Sequence, residues 1–270
     1  MTVEQWLGED NQIGIDIWYK KYRDGGETFD QWLDRVSGRD PDVREMIKRK
    51  EFLFGGRILA NRGLTGNGCK STMSNCYVLG VEDSIESIFD CGKQIARTFS
   101  YGGGVGIDLG NLAPRGAVIR NAAKTTSGAV SFMDLYSLIA GLISQSGRRG
   151  ALMISMPVDH PDIEEFITIK QDLDRVNRAN ISVRISDEFM RAVEAGSQFR
   201  LHYTRKATGE TIEKFVDARM LFYKIAECNW NTGEPGALFW DRIKNWNYLN
   251  KFDNFEFAGT NPCGRSLGRK

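Results

Sequence analysis

The chain has no apolar run near the roughly 18 residues that a membrane span needs. Its start, MTVEQWLGED, carries acidic residues where a signal peptide needs an apolar core. No membrane partner is expected, and the expected compartment is the cytoplasm. An excess of charge of one sign is also lacking: 36 Lys and Arg stand against 35 Asp and Glu, for a net charge of +1. That balance gives no general attraction for nucleic acid or an anionic surface, so any anion site must be local. The cysteines, Cys69, Cys76, Cys91, Cys228 and Cys263, are odd in number and contain no C-x-x-C pair. This argues against zinc and against a disulfide framework, so no metal ligand set is assigned. Most of the five are expected to be small buried residues.

What is present is 41% apolar content over 270 residues, enough to fill a substantial core. Residues 1–60 place Ile13, Ile15, Trp18, Tyr19 and Tyr22, then Phe29, Trp32, Leu33 and Val36, at helical spacing, a helical lead-in. Residues 61–75, rich in glycine and small polar side chains, form a loop. CYVLGV follows as a strand, and Ser84 is placed to cap a helix from Ile85 to about Tyr101. Further on, helices are expected from about Ala129 to Ile143 and over ARMLFYKIAECNWNT, and strands over ALMISMPV and NISVRI. HPDIEEFITIKQDL starts a helix near Pro161, and SDEFMRAVEA carries a capping-box pattern at Ser186. FRLHYT and TIEKFVDA flank a turn, as in a β-hairpin. The alternation argues for α/β with largely parallel strands, not for two independent domains.

Two glycine-rich stretches fail the nucleotide motifs they suggest. In Gly63-Leu-Thr-Gly-Asn-Gly68-Cys69-Lys70, Cys69 separates the glycine from the lysine that a P-loop needs beside it. GGGVGIDLG has the wrong spacing for a dinucleotide fingerprint, though its backbone can approach another molecule closely. QSGRRGA sets Arg148 and Arg149 between Gly147 and Gly150, which suits phosphate or nucleobase recognition and equally suits a solvated loop. RNAAKTTSG adds Arg120, Lys124, Thr125, Thr126 and Ser127 without a carboxylate, and the two stretches together suggest an anion site. Asn75-Cys76 and Asn261-Pro262-Cys263 each set an amide near a thiol. Residue chemistry alone supports an α/β protein that binds a phosphorylated ligand.

TMSNCYVLGVEDSIESIFD, YGGGVGIDLGNLAPRGA, NAAKTTSGAVSFMDLYS, SQSGRRGALMISMPVDHPDIEEFI and FAGTNPC, in this order, resemble the large catalytic chain of ribonucleotide reductases, most closely the adenosylcobalamin-dependent class. The resemblance implies an N-terminal helical segment over 1–60, then, over 61–263, the first half of a ten-stranded α/β barrel, with 264–270 outside the family pattern. It implies a ribonucleotide substrate, a deoxynucleoside triphosphate effector, a homodimer, and adenosylcobalamin with most of its contacts outside these residues. Cys263 resembles the cysteine whose thiyl radical removes the ribose 3′-hydrogen, and Asn261 the amide that holds the ribose hydroxyls. Cys76 resembles one of the two thiols that reduce the 2′-position by becoming a disulfide. Asn75 and Gly104 resemble substrate-contacting positions. Asp83 matches the carboxylate that meets the effector deoxyribose, Arg120 and Lys124 lie on the effector-side loop, and Arg148 and Arg149 lie on the loop that passes effector identity to the substrate.

One departure bears on the chemistry. The family motif has a glutamate two positions after its cysteine, as base at the ribose 3′-hydroxyl, where this chain has Arg265. The second reducing cysteine and the second half-barrel have no counterpart in the 270 residues. The expectation is a chain without turnover by itself, with two alternatives: one half of a split reductase completed by a second chain, or a nucleotide-binding and dimerisation fragment without chemistry.

Overall fold

The computed structural model describes residues 1–64, 71–119, 122–145, 148–206, 208–247, 257–263 and 267–269. Cys69, Arg120 and Arg265, all singled out above, lie outside the described residues. The chain divides into two compact units, Met1–Asn75 and Cys76–Lys270. The expectation of a single α/β body holds only for the second, because the lead-in closes an aromatic core of its own.

The first unit consists of α1 (Val3–Leu7), α2 (Gln12–Ile17) with a π-helical turn over Trp18–Tyr22, α3 (Phe29–Ser37), α4 (Pro41–Lys48) and α5 (Gly56–Asn61). Its helix starts are encoded locally. Thr2 and Thr28 form reciprocal caps with Gln5 and Gln31, and Asp40 caps α4 ahead of Pro41. The chain leaves α3 through Gly38, whose φ of 69° is the left-handed conformation that glycine adopts without strain. Trp6, Trp18, Phe29 and Trp32 pack ring against ring, with centroids 5.2 to 6.1 Å apart. The Trp32 indole N–H donates to the Leu59 carbonyl at 3.2 Å, which removes the usual penalty for burying that group.

The second unit begins with β1 (Cys76–Leu79), α6 (Ile85–Ser100), β2 (Gly104–Asp108) and α7 (Ser131–Leu142). A two-residue ribbon of β3 (Ser144–Gln145) and β4 (Arg148–Arg149) leads to β5 (Leu152–Pro157), α8 (Ile163–Thr168), β6 (Asn180–Ile185) and α9 (Asp187–Ala195). Then come β7 (Gln198–Thr204), β8 (Thr211–Asp217), α10 (Ala218–Thr232), β9 (Gly236–Phe239), α11 (Trp240–Asn245), β10 (Phe257–Thr260) and β11 (Leu267–Arg269). Five strands form one parallel sheet in the order β1-β2-β5-β6-β9. β7 and β8 form the expected antiparallel hairpin. The main core lies between the sheet and its helices, with Ile95, Phe99, Ile107, Tyr136, Ile154, Phe166 and Phe189 fully buried.

Most elements fall where the apolar pattern puts them, and α10 covers the expected segment from Ala218 to Thr232. Ser84 caps α6 through the Ser87 amide. Ser186 caps α9 through the Phe189 amide, but Phe189 holds the position from which a glutamate would answer, so the box is half formed. GGGVGIDLG differs more: GVGID is the buried second strand of the sheet. Glycine in a strand interior weakens the strand signal and marks a place where another backbone comes close. The last residues, which carry no apolar pattern, include β11, paired antiparallel with β10.

Trp32→Ala should lower the free energy of unfolding in urea by about 3–5 kcal/mol. Trp230→Ala, at a side chain 89% exposed, should change it by less than about 0.5 kcal/mol. Equal losses would contradict the burial assigned to the first core.

Candidate functional site

The two glycines of β2 lie two residues apart and so face the same side of the strand. Across that face run Thr260, Asn261 and Pro262. A Cβ on Gly106 would sit 1.7 Å from the Thr260 carbonyl oxygen and 3.0 Å from the Asn261 Cα, and one on Gly104 would sit 3.1 Å from the Pro262 ring. Any side chain at Gly106 would displace the crossing segment. β10 packs against β1, β2 and β5. Gly104 is paired in register with Cys76 at the start of β1. The structure thus groups Cys76, Gly104, Asn261 and Pro262, with Cys263 next in the chain. Asn261 is buried, Cys76 half-buried and Cys263 exposed. Asn75 is the exposed last residue of the first unit, with its amide beside Gly55.

The remaining described thiols are different. Cys91 and Cys228 are buried, and burial pushes the Cys91 thiol up to about 11 and raises that of Cys228. Both fit the expectation of inert packing residues.

A charged group that the sequence reading missed supports the crossing segment. Asp108, the next residue on the same face of β2, accepts hydrogen bonds from Ser155 Oγ at 2.6 Å, Arg184 Nη2 at 2.9 Å and the Gly110 amide at 3.0 Å. Arg184 Nε lies 2.9 Å from Asp108 Oδ2 yet lacks hydrogen-bond geometry. We regard that contact as charge pairing, with Nη2 making the directed bond. The guanidinium stacks 4.5 Å above the Trp240 ring. Gly259 rests on Asp108, where an added Cβ would be 3.3 Å from Asp108 Cβ. Apart from Gly106 within the glycine run, no local pattern marks these residues, because they meet only through strand register.

A second site is a cavity of about 640 Å³ between the start of α6, the loop after β2, the start of α7 and the end of the β7–β8 hairpin. Asp83 lines it, with Ile85, Ile88, Val118, Ile119 and Phe132 as apolar wall. Asp83 Oδ1 accepts from the Ala113 amide at 3.0 Å, and Oδ2 accepts from Arg205 Nε at 3.1 Å. Tyr203 also lines the cavity, and burial, then the negative charge of Asp83, pushes its phenol up to about 12. Glu82, Asp83 and Glu210 share the wall with Arg205 and Lys206. Its lining is therefore not the carboxylate-free anion site that the loops alone suggested. The loop folds back on itself through Val118 and Thr125, and exposed Lys124 turns it with a φ of 62°. Arg148 and Arg149 lie away from this turn in the chain, on the ribbon leading into β5.

The loop is anchored from beneath by His160 and Asp162. His160 Nε2 donates to the Leu112 carbonyl at 2.9 Å, while Nδ1 accepts from the Asp162 amide at 3.1 Å, which requires the neutral ring. Asp162 accepts from the Arg115 and Ala129 amides at 3.0 Å, clamping both ends of the loop. Burial lowers the His160 pKa, outweighing the Leu112 carbonyl and the nearby Asp162, Asp108 and Asp159.

Fold and site together define an α/β protein in which a thiol-bearing segment crosses a parallel sheet beside a second thiol. A family model, ribonucleotide reductase, barrel domain, matches residues 74–267. The chain belongs to that family. It is 33% identical over 280 residues to a vitamin B12-dependent ribonucleotide reductase of Streptomyces avermitilis, covering 94% of this chain and 28% of the relative. It is 37% identical over 236 residues to a vitamin B12-dependent ribonucleoside-diphosphate reductase of Mycobacterium tuberculosis, covering 87% and 32%. A relative with the same description from Thermoplasma acidophilum is 32% identical over 242 residues, covering 88% and 31%. The chain spans about a third or less of these relatives.

Two predictions follow from the geometry. Gly106→Ala should speed amide hydrogen exchange at Thr260 and Asn261 at least about tenfold, about 1.4 kcal/mol of lost protection. Gly80→Ala, at a glycine whose added Cβ meets nothing within 4 Å, should not. For His160, the unfolded chain takes up the proton first as pH falls, so stability is full above about pH 6.5 and declines below it, by up to about 1.4 kcal/mol per pH unit. His160→Gln should flatten the acid-side fall in Tm, and an unchanged slope would contradict the neutral assignment.

Proposed function

We propose that this chain is the N-terminal part of the catalytic chain of an adenosylcobalamin-type ribonucleotide reductase, which converts ribonucleotides to 2′-deoxyribonucleotides. The observation that carries this reading is the packing of Asn261 and Pro262 onto Gly104 and Gly106, with Cys76 in register beside Gly104. Cys263 is the radical-bearing thiol: its sulfur, one electron and one proton short, takes the 3′-hydrogen atom, and the S–H bond so formed is weak enough to be broken again when the hydrogen atom is returned. Asn261 holds the ribose hydroxyls, and Asn75 and Gly104 contact substrate. Cys76 supplies one of two thiols whose oxidation to a disulfide provides the two electrons that replace the 2′-hydroxyl, lost as water, by hydrogen. Among the described thiols, Cys91 and Cys228 are buried with raised pKa values and do not suit the second member. In the family pattern that thiol lies beyond the Asn-Pro-Cys motif, so we infer that a further part of the protein or a second chain supplies it.

When bound, adenosylcobalamin supplies the homolytic chemistry that oxidises a thiol by one electron. The exposed thiol of Cys263 fits the receiving end of that exchange.

The cavity beside Asp83 is the effector site. Asp83 accepts from the deoxyribose hydroxyl, the apolar wall takes the base, and Arg120 and Lys124 serve the phosphates of a deoxynucleoside triphosphate. Arg148 and Arg149, on the ribbon into β5, carry effector identity towards the substrate. Exposed Ile85 and Phe89 on α6 and Leu138 and Leu142 on α7 form the contact face of a homodimer.

With Arg265 where the family motif has its glutamate, the purified chain should form no deoxynucleotide from any ribonucleotide with adenosylcobalamin and dithiothreitol. It should still bind a deoxynucleoside triphosphate in calorimetry, and Asp83→Ala should weaken binding about 10- to 100-fold. Turnover above background, or binding indifferent to Asp83, would overturn the respective half of the reading.

A further inference from the structure

The β7–β8 hairpin plays no part in the reading above, yet its end supplies the most heavily engaged cation in the cavity wall. Arg205 leaves β7 with its side chain only 9% exposed. Its Nε donates to Asp83 Oδ2 at 3.1 Å, and its Nη1 donates to the Val118 carbonyl and approaches Glu210 Oε2 at 3.4 Å. Those partners lie on separate segments: Asp83 after β1, Val118 on the loop after β2, and Glu210 on the return of the hairpin. The hairpin end is itself closed by backbone bonds from Arg205 to Glu210 and from Gly209 to Arg205, both 2.8 Å. A buried guanidinium persists only when its charge and its donors are met, and its planar fork suits one carboxylate and one carbonyl held at a fixed angle.

We propose that Arg205 is a positioning residue for this cavity, a latch by which the hairpin fixes the Asp83 carboxylate and the Val118 turn in the geometry that admits a nucleoside. The proposal rests on the reading of the cavity as a nucleotide site. An ionised carboxylate has about four lone-pair positions. Ala113 and Arg205 occupy two, which orients the carboxylate and leaves acceptor capacity for a ribose hydroxyl. Arg205 acts through Asp83 and Val118, not through the phosphates.

The test combines hydrogen exchange with calorimetry on the whole chain. Without ligand, Arg205→Met should speed exchange of the Gly116, Ile119 and Thr126 amides, which hold the loop on itself, at least about tenfold, the scale of a lost charged hydrogen bond. The β7–β8 ladder should stay protected. Binding of thymidine triphosphate and of thymidine should weaken by the same factor of about ten, and the penalties of Asp83→Ala and Arg205→Met should be less than additive in the double variant. Unchanged exchange, penalties that add in the double variant, or unaltered thymidine binding would each overturn the latch. If the unmodified chain binds no nucleotide, the reading of the cavity falls, and exchange alone decides the latch. If Arg205→Met does not fold, Arg205→Lys, which keeps the charge but not the fork, should show the same rise in exchange. Its absence there would overturn the proposal.

Discussion

Strand β2 lacks side chains at Gly104 and Gly106, and the backbone of Thr260 and Asn261 and the ring of Pro262 lie in the space they leave. A parallel strand buried on both faces normally fills that space with Val, Ile or Leu. Here the second layer over the strand is another stretch of main chain. Everything proposed for the chemistry depends on this contact, because it sets Asn261 and Pro262, with Cys263 next in the chain, at the strand in which Gly104 is the register partner of Cys76. The Asp108, Ser155 and Arg184 group gives the crossing a rigid floor under Gly259, since each of its members comes from a different strand of the sheet.

The second site follows the same economy of elements. Its wall is assembled from the loops that leave β1 and β2, from the starts of α6 and α7, and from the hairpin inserted after α9. His160 and Asp162 clamp the ends of the loop after β2, and Arg205 clamps its middle. The loop therefore sits between a neutral imidazole that dislikes acid and a guanidinium that is always charged. This arrangement ties the shape of the cavity to the hairpin as well as to the sheet, and a hairpin able to move would change both together.

Much of this was legible in the residues. Ser84 and the apolar spacing after it place α6, and Asp217 to Gly233 bracket α10 with a cap at each end. The order of the motif blocks points to Cys76, Gly104, Asn261 and Cys263 before any fold is known, and the structure packs β10, which leads into Asn261, against β1 and β2. What was not legible is what depends on register. Glycines in GVGID hide a strand whose burial comes in part from neighbours distant in the chain, such as Ser155, 47 residues from the Asp108 it bonds. Arg205 lies 122 residues from Asp83, and nothing in RKATGE distinguishes an arginine that spans a cavity wall from one that solvates a turn.

The most direct test of the central contact is an NMR distance measurement on the deuterated chain with selectively protonated glycine, asparagine and proline. Cross-relaxation between the Gly106 α-protons and Asn261, and between Gly104 and the Pro262 ring, is the predicted result. Loss of both, with the Cys76-to-Gly104 register signals intact, would show that the sheet forms without the crossing and would contradict the account.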